Sequence, residues 1–433
     1  MHRILVARDL LKKASGSALL TASSLLLGFL TSILLARTLG PDEFGRYVFA
    51  FSIISLGALP VGTAFNQFVM RESARAYALD SPALIKGLIK RSYVWVSLIG
   101  LLVCGVLWCW VSARSDDATL MWGLPIIPLM ALVAVRTELL RGAGLILQSQ
   151  WPDTVLRPLC FVVLTCGLMI TSALTAVTAL VAYGAALVIT LVIVVRLFLS
   201  GIATDKYRET QAEFDDGRWL KSMPWFMAIS AIGAGSVLSG GVILGLVNTD
   251  VSQVAAFQLG LSFSALVGLP LVIVNLVVGP KITQWWEAGD KESCIALLSQ
   301  MTRLATGVSV IGGAVVIYLP EVILGVFYGD AYAYGIKTLQ VLVIGQMVNV
   351  AFGPVGLALT LSGFERQAFT GQLAGLIISL SLTVMLVGEW GATGAAVGAF
   401  AGLLVWNIWM AFQVRRRWGG PFLFLVSGMG RER

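Results

Sequence analysis

The sequence has little charge and almost none of the side chains that metal binding and acid–base catalysis need. Only 12% of the 433 residues are charged, His2 is the only histidine, and the five cysteines form no CxxC pair. Zinc or haem binding and a histidine-based triad therefore lack ligands and a base. The G-x-x-x-x-G-K-[ST] pattern of a nucleotide-binding loop is also missing, so we expect neither an ATPase nor a cofactor.

What the chain has instead is apolar surface. Hydrophobic residues make up 58% of it and the mean hydropathy is +0.87, whereas soluble domains are about half apolar and about a quarter charged. This composition predicts a polytopic membrane protein. The net charge of +7 is then read as a signal of membrane topology, not of nucleic-acid binding.

Spans of about 20 apolar residues predict an all-α protein with twelve transmembrane helices. The predicted spans are 16–36, 44–68, 92–113, 119–140, 155–174, 176–198, 222–247, 253–279, 304–326, 338–361, 368–388 and 391–412.

The best-defined boundary lies in LLARTLGPDEFGRYVFAFS, residues 34–52, which predicts a helical hairpin. Gly40 and Pro41 interrupt the helix, since glycine frees the backbone and proline lacks the N–H. Asp42 and Glu43 then occupy the first turn of the next helix, where its dipole favours acids.

Lys and Arg fall mainly in the segments on the same side as the N-terminus, which predicts that both termini are cytoplasmic. Residues 1–15 mix apolar and basic positions, and we expect a short amphipathic helix on the inner leaflet.

The longest hydrophilic stretch divides the spans six and six. It predicts an N-terminal lobe over 1–200, a cytoplasmic linker over 201–221 and a C-terminal lobe over 222–433. Because each lobe has an even number of spans, the two would be parallel repeats around a central cavity, as in alternating-access transporters.

Several motifs along nearly the whole chain resemble one family. The LLARTLGPDEFGRY hairpin resembles the first hairpin of bacterial polysaccharide flippases, the polysaccharide-transport branch of the multidrug/oligosaccharidyl-lipid/polysaccharide (MOP) exporter superfamily. The stretches LGVFYGDAY (324–332), LSGFER (361–366) and WGATGAAVG (390–398) resemble later loops of that family. Related drug exporters share the architecture.

The resemblance implies a flippase that moves a polyprenyl-pyrophosphate-linked oligosaccharide across the bacterial cytoplasmic membrane for O-antigen or exopolysaccharide biosynthesis. Its expected partners are that lipid-linked substrate, membrane lipid and the polysaccharide polymerase machinery, with no nucleic acid. A pyrophosphate needs cations, and arginine suits it because two parallel N–H groups can bind the phosphate oxygens.

Charged residues in the spans are the candidates for this site, because charge is costly in lipid. Arg136 is the first candidate. Glu138 is the candidate coupling acid, although it and Arg141 share a helix face and can neutralise each other. Arg71 and Arg75 either form a cytoplasmic mouth for pyrophosphate or are positive-inside anchors.

Arg37 and Arg46 bracket the outer turn and either receive the headgroup or anchor at the interface. The candidate sugar contacts are amides in apolar runs, which equally suit hydrogen bonds between helices. They are Asn66, Gln67, Asn275, Gln346 and Asn349.

Three rival functions remain. An ion-coupled drug exporter of the same superfamily fits the fold, but basic residues outnumber acids in the spans. A peptidoglycan-precursor flippase shares the chemistry, but such relatives usually carry two further C-terminal helices. A membrane-embedded polysaccharide polymerase or ligase would need a large outer loop, which the sequence does not predict.

Overall fold

The computed structural model describes residues 2–113, 118–201, 209–247, 250–419 and 424, and throughout these ranges the chain is helical, without strands. Its α-helices are α1 (His2–Ala58), α2 (Thr63–Ala78), α3 (Pro82–Ser112), α4 (Ala118–Gly123), α5 (Ile126–Gly142), α6 (Ile146–Trp151), α7 (Arg157–Ile170), α8 (Ala176–Gly201), α9 (Asp216–Val247), α10 (Ser252–Glu287), α11 (Lys291–Tyr318), α12 (Pro320–Phe327), α13 (Ile336–Phe352), α14 (Val355–Leu361) and α15 (Glu365–Trp418). A π-helical turn, Pro152–Leu156, joins α6 to α7, and a 3₁₀ helix, Asp330–Gly335, follows α12.

Nine helices in the described ranges are long and apolar enough to cross a membrane. Two of these contain a backbone break, and α9 coincides with a further predicted span. The helices overlap all twelve spans predicted from the sequence. The protein is therefore an all-α polytopic membrane protein, as the composition predicts.

The break in α1 lies at Gly40, whose φ of 75° is in the left-handed region. Glycine adopts this conformation without steric cost, and Pro41 follows it directly. The helix begins at His2, so the predicted N-terminal helix runs without interruption into the first span.

The break in α15 lies at Gly391, with φ 53°. Here the chain folds back on itself, because Gly375 and Gly402 lie against each other: a Cβ built on Gly375 would be 2.7 Å from the Gly402 carbonyl oxygen. Small residues of this kind let two helices in a membrane approach closely and gain van der Waals contact. α15 is therefore the eleventh and twelfth predicted spans, packed as a hairpin.

The chain forms two compact units. One comprises Met1–Gly45 and Ser239–Arg433, and we call it the C-terminal unit; the other, Arg46–Leu238, is the N-terminal unit. The N-terminal segment of the chain up to the start of the second predicted span thus groups with the C-terminal helices. The predicted lobe boundaries stay a prediction, and residues 202–208 of the predicted linker lie outside the described residues.

The interior of the C-terminal unit is apolar. A cluster of buried side chains from α10, α11, α13, α14 and α15 includes Val278, Leu298, Val350 and Met410, all fully buried. The Trp418 ring closes it at the end of α15, stacked on Trp286 with ring centroids 5.0 Å apart. This packing fixes the α13 and α15 faces that carry the amides described below.

Candidate functional site

Arg136 is placed among aromatic rings in the N-terminal unit. It projects from α5, donates a hydrogen bond to the Tyr93 hydroxyl of α3, and its guanidinium carbon lies 4.8 Å from the centre of the Phe198 ring of α8. The Tyr93 ring is 5.1 Å away. No carboxylate pairs with Arg136 in the described part of the chain. The rings hold the cation in place by cation–π contact and supply no negative charge of their own.

A second arginine, Arg157, was not singled out by the sequence analysis. It begins α7 directly after the π-helical turn, a feature often found at functional sites. Its Nε lies 3.1 Å from an Asp153 carboxylate oxygen, and it also donates to the Tyr183 hydroxyl. The sequence feature that could have identified Arg157 is its spacing from Asp153. The two are four residues apart, the spacing at which ion pairs form along a helix.

Tyr183 belongs to a cluster of aromatic rings beneath Arg157. Phe51 and Phe161 contact it edge-on, with ring centroids 5.0 and 5.4 Å away, and Tyr47 stacks on Phe51. Tyr47 and Tyr183 are buried. Such a cluster fixes the orientation of Arg157 by packing, since aromatic pairs have preferred geometries.

Glu138 and Arg141 form an ion pair on one face of α5. The Glu138 carboxylate accepts from Arg141 Nη1 at 2.8 Å and only 6% of the Glu138 side chain is exposed. Arg141 Nε is buried without a hydrogen-bond partner. Glu138 is the buried partner and would be costly to leave without a counter-charge, whereas the Arg141 side chain is one third exposed.

Arg71 and Arg75, at the end of α2, contact carboxylates of the protein itself. Arg71 lies 2.6 Å from Glu72, whose side chain is 2% exposed. Arg75 lies 2.9 Å from Asp215 and 3.6 Å from Glu72. The Asp215 hydrogen bond raises the pKa of Arg75, which keeps this arginine charged. The predicted cytoplasmic mouth is thus already occupied by acidic side chains.

The two arginines that bracket the outer turn have different surroundings. Arg37 donates to the Val326 backbone carbonyl at 2.6 Å, near the C-terminal end of α12, where the helix dipole favours a cation. Arg46 is exposed. Arg37 therefore fastens α1 to α12 within the C-terminal unit, and a headgroup role for either residue stays a prediction.

The predicted sugar contacts fall into two groups. In the C-terminal unit, Asn349 donates to Gln346 at 3.1 Å and accepts from Asn407 at 3.0 Å, which joins α13 to α15. Asn407, a single amide in a long apolar run, was not singled out by the sequence analysis. Bonds between helices of this kind are common in membrane proteins.

The remaining amides are not part of this chain of hydrogen bonds. The side-chain oxygens of Asn66 and Asn275 are buried and have no hydrogen-bond partner, whereas Gln67 is exposed. An unsatisfied buried acceptor costs about 1–3 kcal/mol, so these two oxygens are where a donor from a ligand would be favourable.

Solved structures share this fold. A multidrug-resistance MATE family transporter of the MOP superfamily, in an inward-facing conformation, superposes with a TM-score of 0.76 over 93% of this chain and 98% of its own, at 14% identity. The lipid II flippase MurJ, in an inward closed conformation, gives 0.73 over 92% and 87%, at 12% identity. The chain has the fold of the MATE and MurJ transporters.

A eukaryotic MATE transporter, AtDTX14, gives a TM-score of 0.65 at 15% identity and covers 94% of this chain and 95% of its own. No protein-family model and no curated protein sequence matches the chain. These three structures share the fold over 92–94% of this chain and 87–98% of their own.

Proposed function

We propose that this protein is a flippase for polyprenyl-pyrophosphate-linked oligosaccharides, acting by alternating access in the bacterial cytoplasmic membrane with both termini in the cytoplasm. The observation that supports this proposal most directly is the position of Arg136 within a span. Tyr93 and Phe198 orient this arginine, and it has no carboxylate partner among the described residues. A cation within a span is expensive unless it meets an anion or water in a cavity.

The chemistry of such a cargo divides into three requirements. The lipid tail can stay in the bilayer, the pyrophosphate needs arginines such as Arg136 and Arg157, and the sugar needs hydrogen-bonding groups. The amides of Gln346 and Asn349 and the unsatisfied oxygens of Asn66 and Asn275 are candidates for the last of these. The solved lipid II flippase, which shares the fold, supports a lipid-linked cargo.

The membrane potential can drive this transport without ATP. A pyrophosphate with two negative charges is driven outward by an inside-negative potential, which favours this movement by about 2.3 kcal/mol per charge per 100 mV. Glu138, the candidate proton-coupling acid, is held in an ion pair with Arg141. Protonation of Glu138 would remove the counter-charge of Arg141, so we propose transport driven by potential alone.

A second function is favoured by a different observation. MATE transporters, described as multidrug-resistance proteins, share this fold over nearly their full length. Acidic side chains also occur in the spans of the N-terminal unit, at Glu138 and Asp153. An ion-coupled exporter of cationic drugs would use these acids, and in that case Arg136 would hinder cargo binding.

One experiment separates the two functions. The gene is deleted in its host, and surface polysaccharide and lipid-linked oligosaccharide on the inner leaflet are measured together with sensitivity to cationic drugs. We expect loss of polysaccharide and accumulation of the lipid-linked intermediate, restored by the wild type and by Arg196→Gln but not by Arg136→Gln. Arg196 is the matched control because it is exposed on α8 near Phe198. Normal polysaccharide with raised drug sensitivity would reject the flippase and favour the exporter.

A further inference from the structure

The polar segment that leads into α9 lies against the ends of α2 and α3 in the N-terminal unit. We call residues 209–219 the strap. The strap carries two acidic side chains, Asp215 and Asp216, at the start of α9, where the helix dipole favours negative charge. Asp215 contacts Arg75 of α2, which the sequence analysis assigned to a mouth for pyrophosphate. Asp216 contacts Arg91 on the next helix, α3.

The two strap carboxylates each form an ion pair with a helix, and Arg218, next to Trp219, lies 3.5 Å from the buried Glu72 of α2. Asp215 contacts Arg75 of α2 at 2.9 Å, and both Asp216 oxygens accept from Arg91 of α3 in a bidentate pair. The Arg91 guanidinium also lies over the Phe214 ring, 5.1 Å from its centre. Arginine uses the same geometry, two parallel N–H···O bonds, when it binds phosphate oxygens. Each strap carboxylate therefore occupies a position suited to an oxyanion.

The strap backbone lies equally close to α3. The Glu213 N–H donates to the Ala83 carbonyl at 3.0 Å, and Lys86 donates to the Thr210 carbonyl at 3.0 Å. Gly87 permits this approach, because a Cβ at that position would overlap the Glu213 carbonyl group. Gly87 is in the interior of a helix, where alanine is intrinsically better by about 0.5–1 kcal/mol. The contact with the strap therefore gives a reason for glycine at this position.

The strap is fixed firmly at one end and weakly along the rest. Trp219 is 2% exposed and packs edge-on against Trp95, with centroids 6.4 Å apart. By contrast, the side chains of Arg75, Asp215, Arg91 and Asp216 are each about one third exposed. Ion pairs this exposed contribute about 0–1 kcal/mol each, because water and salt screen them. Separation of residues 209–216 from α2 and α3 therefore breaks two exposed ion pairs and two hydrogen bonds, while Trp219 stays buried.

We propose that the strap is a displaceable occupant of an oxyanion-binding surface formed by Arg75 and Arg91. A phosphate-type oxyanion, carried by a lipid, binds these arginines in place of Asp215 and Asp216 and releases the strap. Only the identity of the natural anion, the pyrophosphate of the cargo, rests on the proposed function. Anion binding and docking of the strap on Arg75 and Arg91 exclude each other. This competition can be observed without transport.

Hydrogen–deuterium exchange tests strap release in the purified full-length protein. The Glu213 N–H and its neighbours are followed in nanodiscs of zwitterionic lipid, with inorganic pyrophosphate or with sodium chloride at equal ionic strength. Two exposed ion pairs correspond to about a tenfold change, so we expect pyrophosphate to speed exchange of peptides over 209–216 about tenfold, and chloride to do much less. Equal effects of the two salts would show simple screening and overturn the proposal.

Gly87→Ala lifts the strap without removing a charge, and calorimetry then measures pyrophosphate affinity. We expect binding about tenfold tighter than wild type, no change in Gly105→Ala, and loss of binding when Arg75→Gln is added. Gly105 is the matched control because it lies on the same helix with open space around it. If Gly87→Ala unfolds the protein, Asp215→Asn with Asp216→Asn gives the same release by removing the competing charges.

Unchanged affinity in a variant whose strap exchanges faster would show that Arg75 and Arg91 do not bind oxyanions, and would reject the proposal. Release in nanodiscs of anionic phospholipid without pyrophosphate would support it and assign the anion to bilayer headgroups. Release by pyrophosphate in a protein that flips no lipid-linked oligosaccharide would leave the strap proposal intact and reject the proposed function.

Discussion

The two compact units carry different polar chemistry in their helices. In the N-terminal unit several ionisable side chains make the polar contacts: Arg136 and Arg157 donate to tyrosine hydroxyls, and Glu138 pairs with Arg141. In the C-terminal unit the contacts between α13 and α15 are made by neutral amides. Amides satisfy one another without the desolvation cost of a charge, whereas the arginines need an anion or a ring. We infer that the arginines of the N-terminal unit bind charge, and that the amides of the C-terminal unit, together with Asn66, bind hydroxyl groups.

The largest expected effect is that of Arg136→Gln. Removing an arginine that binds phosphate oxygens should lower flipping of a lipid-pyrophosphate oligosaccharide in proteoliposomes about a hundredfold, because a charge-assisted hydrogen bond contributes about 1.5–3 kcal/mol. Arg136→Lys keeps the charge but loses the fork, so we expect partial activity. Arg196→Gln should retain wild-type rates. Full activity of Arg136→Gln would contradict the inference that the N-terminal unit binds the charged part of the cargo.

Arg157→Gln should have the next largest effect, because this arginine also stabilises its own surroundings. We expect flipping to fall about tenfold and the protein to lose about 1 kcal/mol of stability, since Asp153 is left without its partner but is partly exposed. Thermal unfolding and flipping are measured on the same preparation. Adding Asp153→Asn should restore stability and not flipping. Recovery of both would mean that the pair is structural only.

Asn349→Leu tests whether the amides of the C-terminal unit bind sugar hydroxyl groups. Asn349 lies in the middle of the hydrogen-bonded chain between Gln346 and Asn407, and such bonds in membranes contribute about 0.6 kcal/mol on average. We expect a small loss of stability and a few-fold slower flipping of the full oligosaccharide. A polyprenyl pyrophosphate without sugar should be flipped at the wild-type rate. An equal loss for both lipids would place the defect in packing, not in sugar binding.

Sequence reasoning succeeded where the determinant is local. Apolar runs are long enough to define the spans, Gly40 with Pro41 marks a break, and Glu138 with Arg141 is a pair three residues apart. It failed for partners far apart in the chain. Arg136 and Tyr93 are separated by 43 residues, and Arg75 and Asp215 by 140. No helical periodicity relates such residues, because their proximity depends on how whole helices pack.

The same difference explains why Arg75 was assigned to a pyrophosphate mouth without its partner. From the sequence, Arg71 and Arg75 lie on one helix face, and Asp215 and Asp216 belong to a polar linker. Only the packing of the strap on α2 and α3 brings Asp215 within 2.9 Å of Arg75. The role of Arg75 in cargo binding stays a prediction, and it now requires that the strap be displaced first.

Glu138→Gln should have the smallest effect on transport, although the residue is among the most buried acids of the spans. Its carboxylate is 2.8 Å from Arg141, and we expect this ion pair to persist through the transport cycle. If the potential alone drives transport, flipping by Glu138→Gln should change by less than about twofold and keep the wild-type response to an imposed potential.

The variant should nevertheless be less stable, because the buried side chain at position 138 would lose its ion pair with Arg141; the double variant Glu138→Gln with Arg141→Gln should regain part of the loss. Flipping is measured with an imposed potential and no pH gradient, and then with the gradient alone. Transport driven by a pH gradient in the wild type and abolished in both variants would assign proton coupling to Glu138. That result would give the N-terminal unit an acid that acts in the cycle, and the division between a charge-binding and a hydroxyl-binding unit would no longer describe the protein.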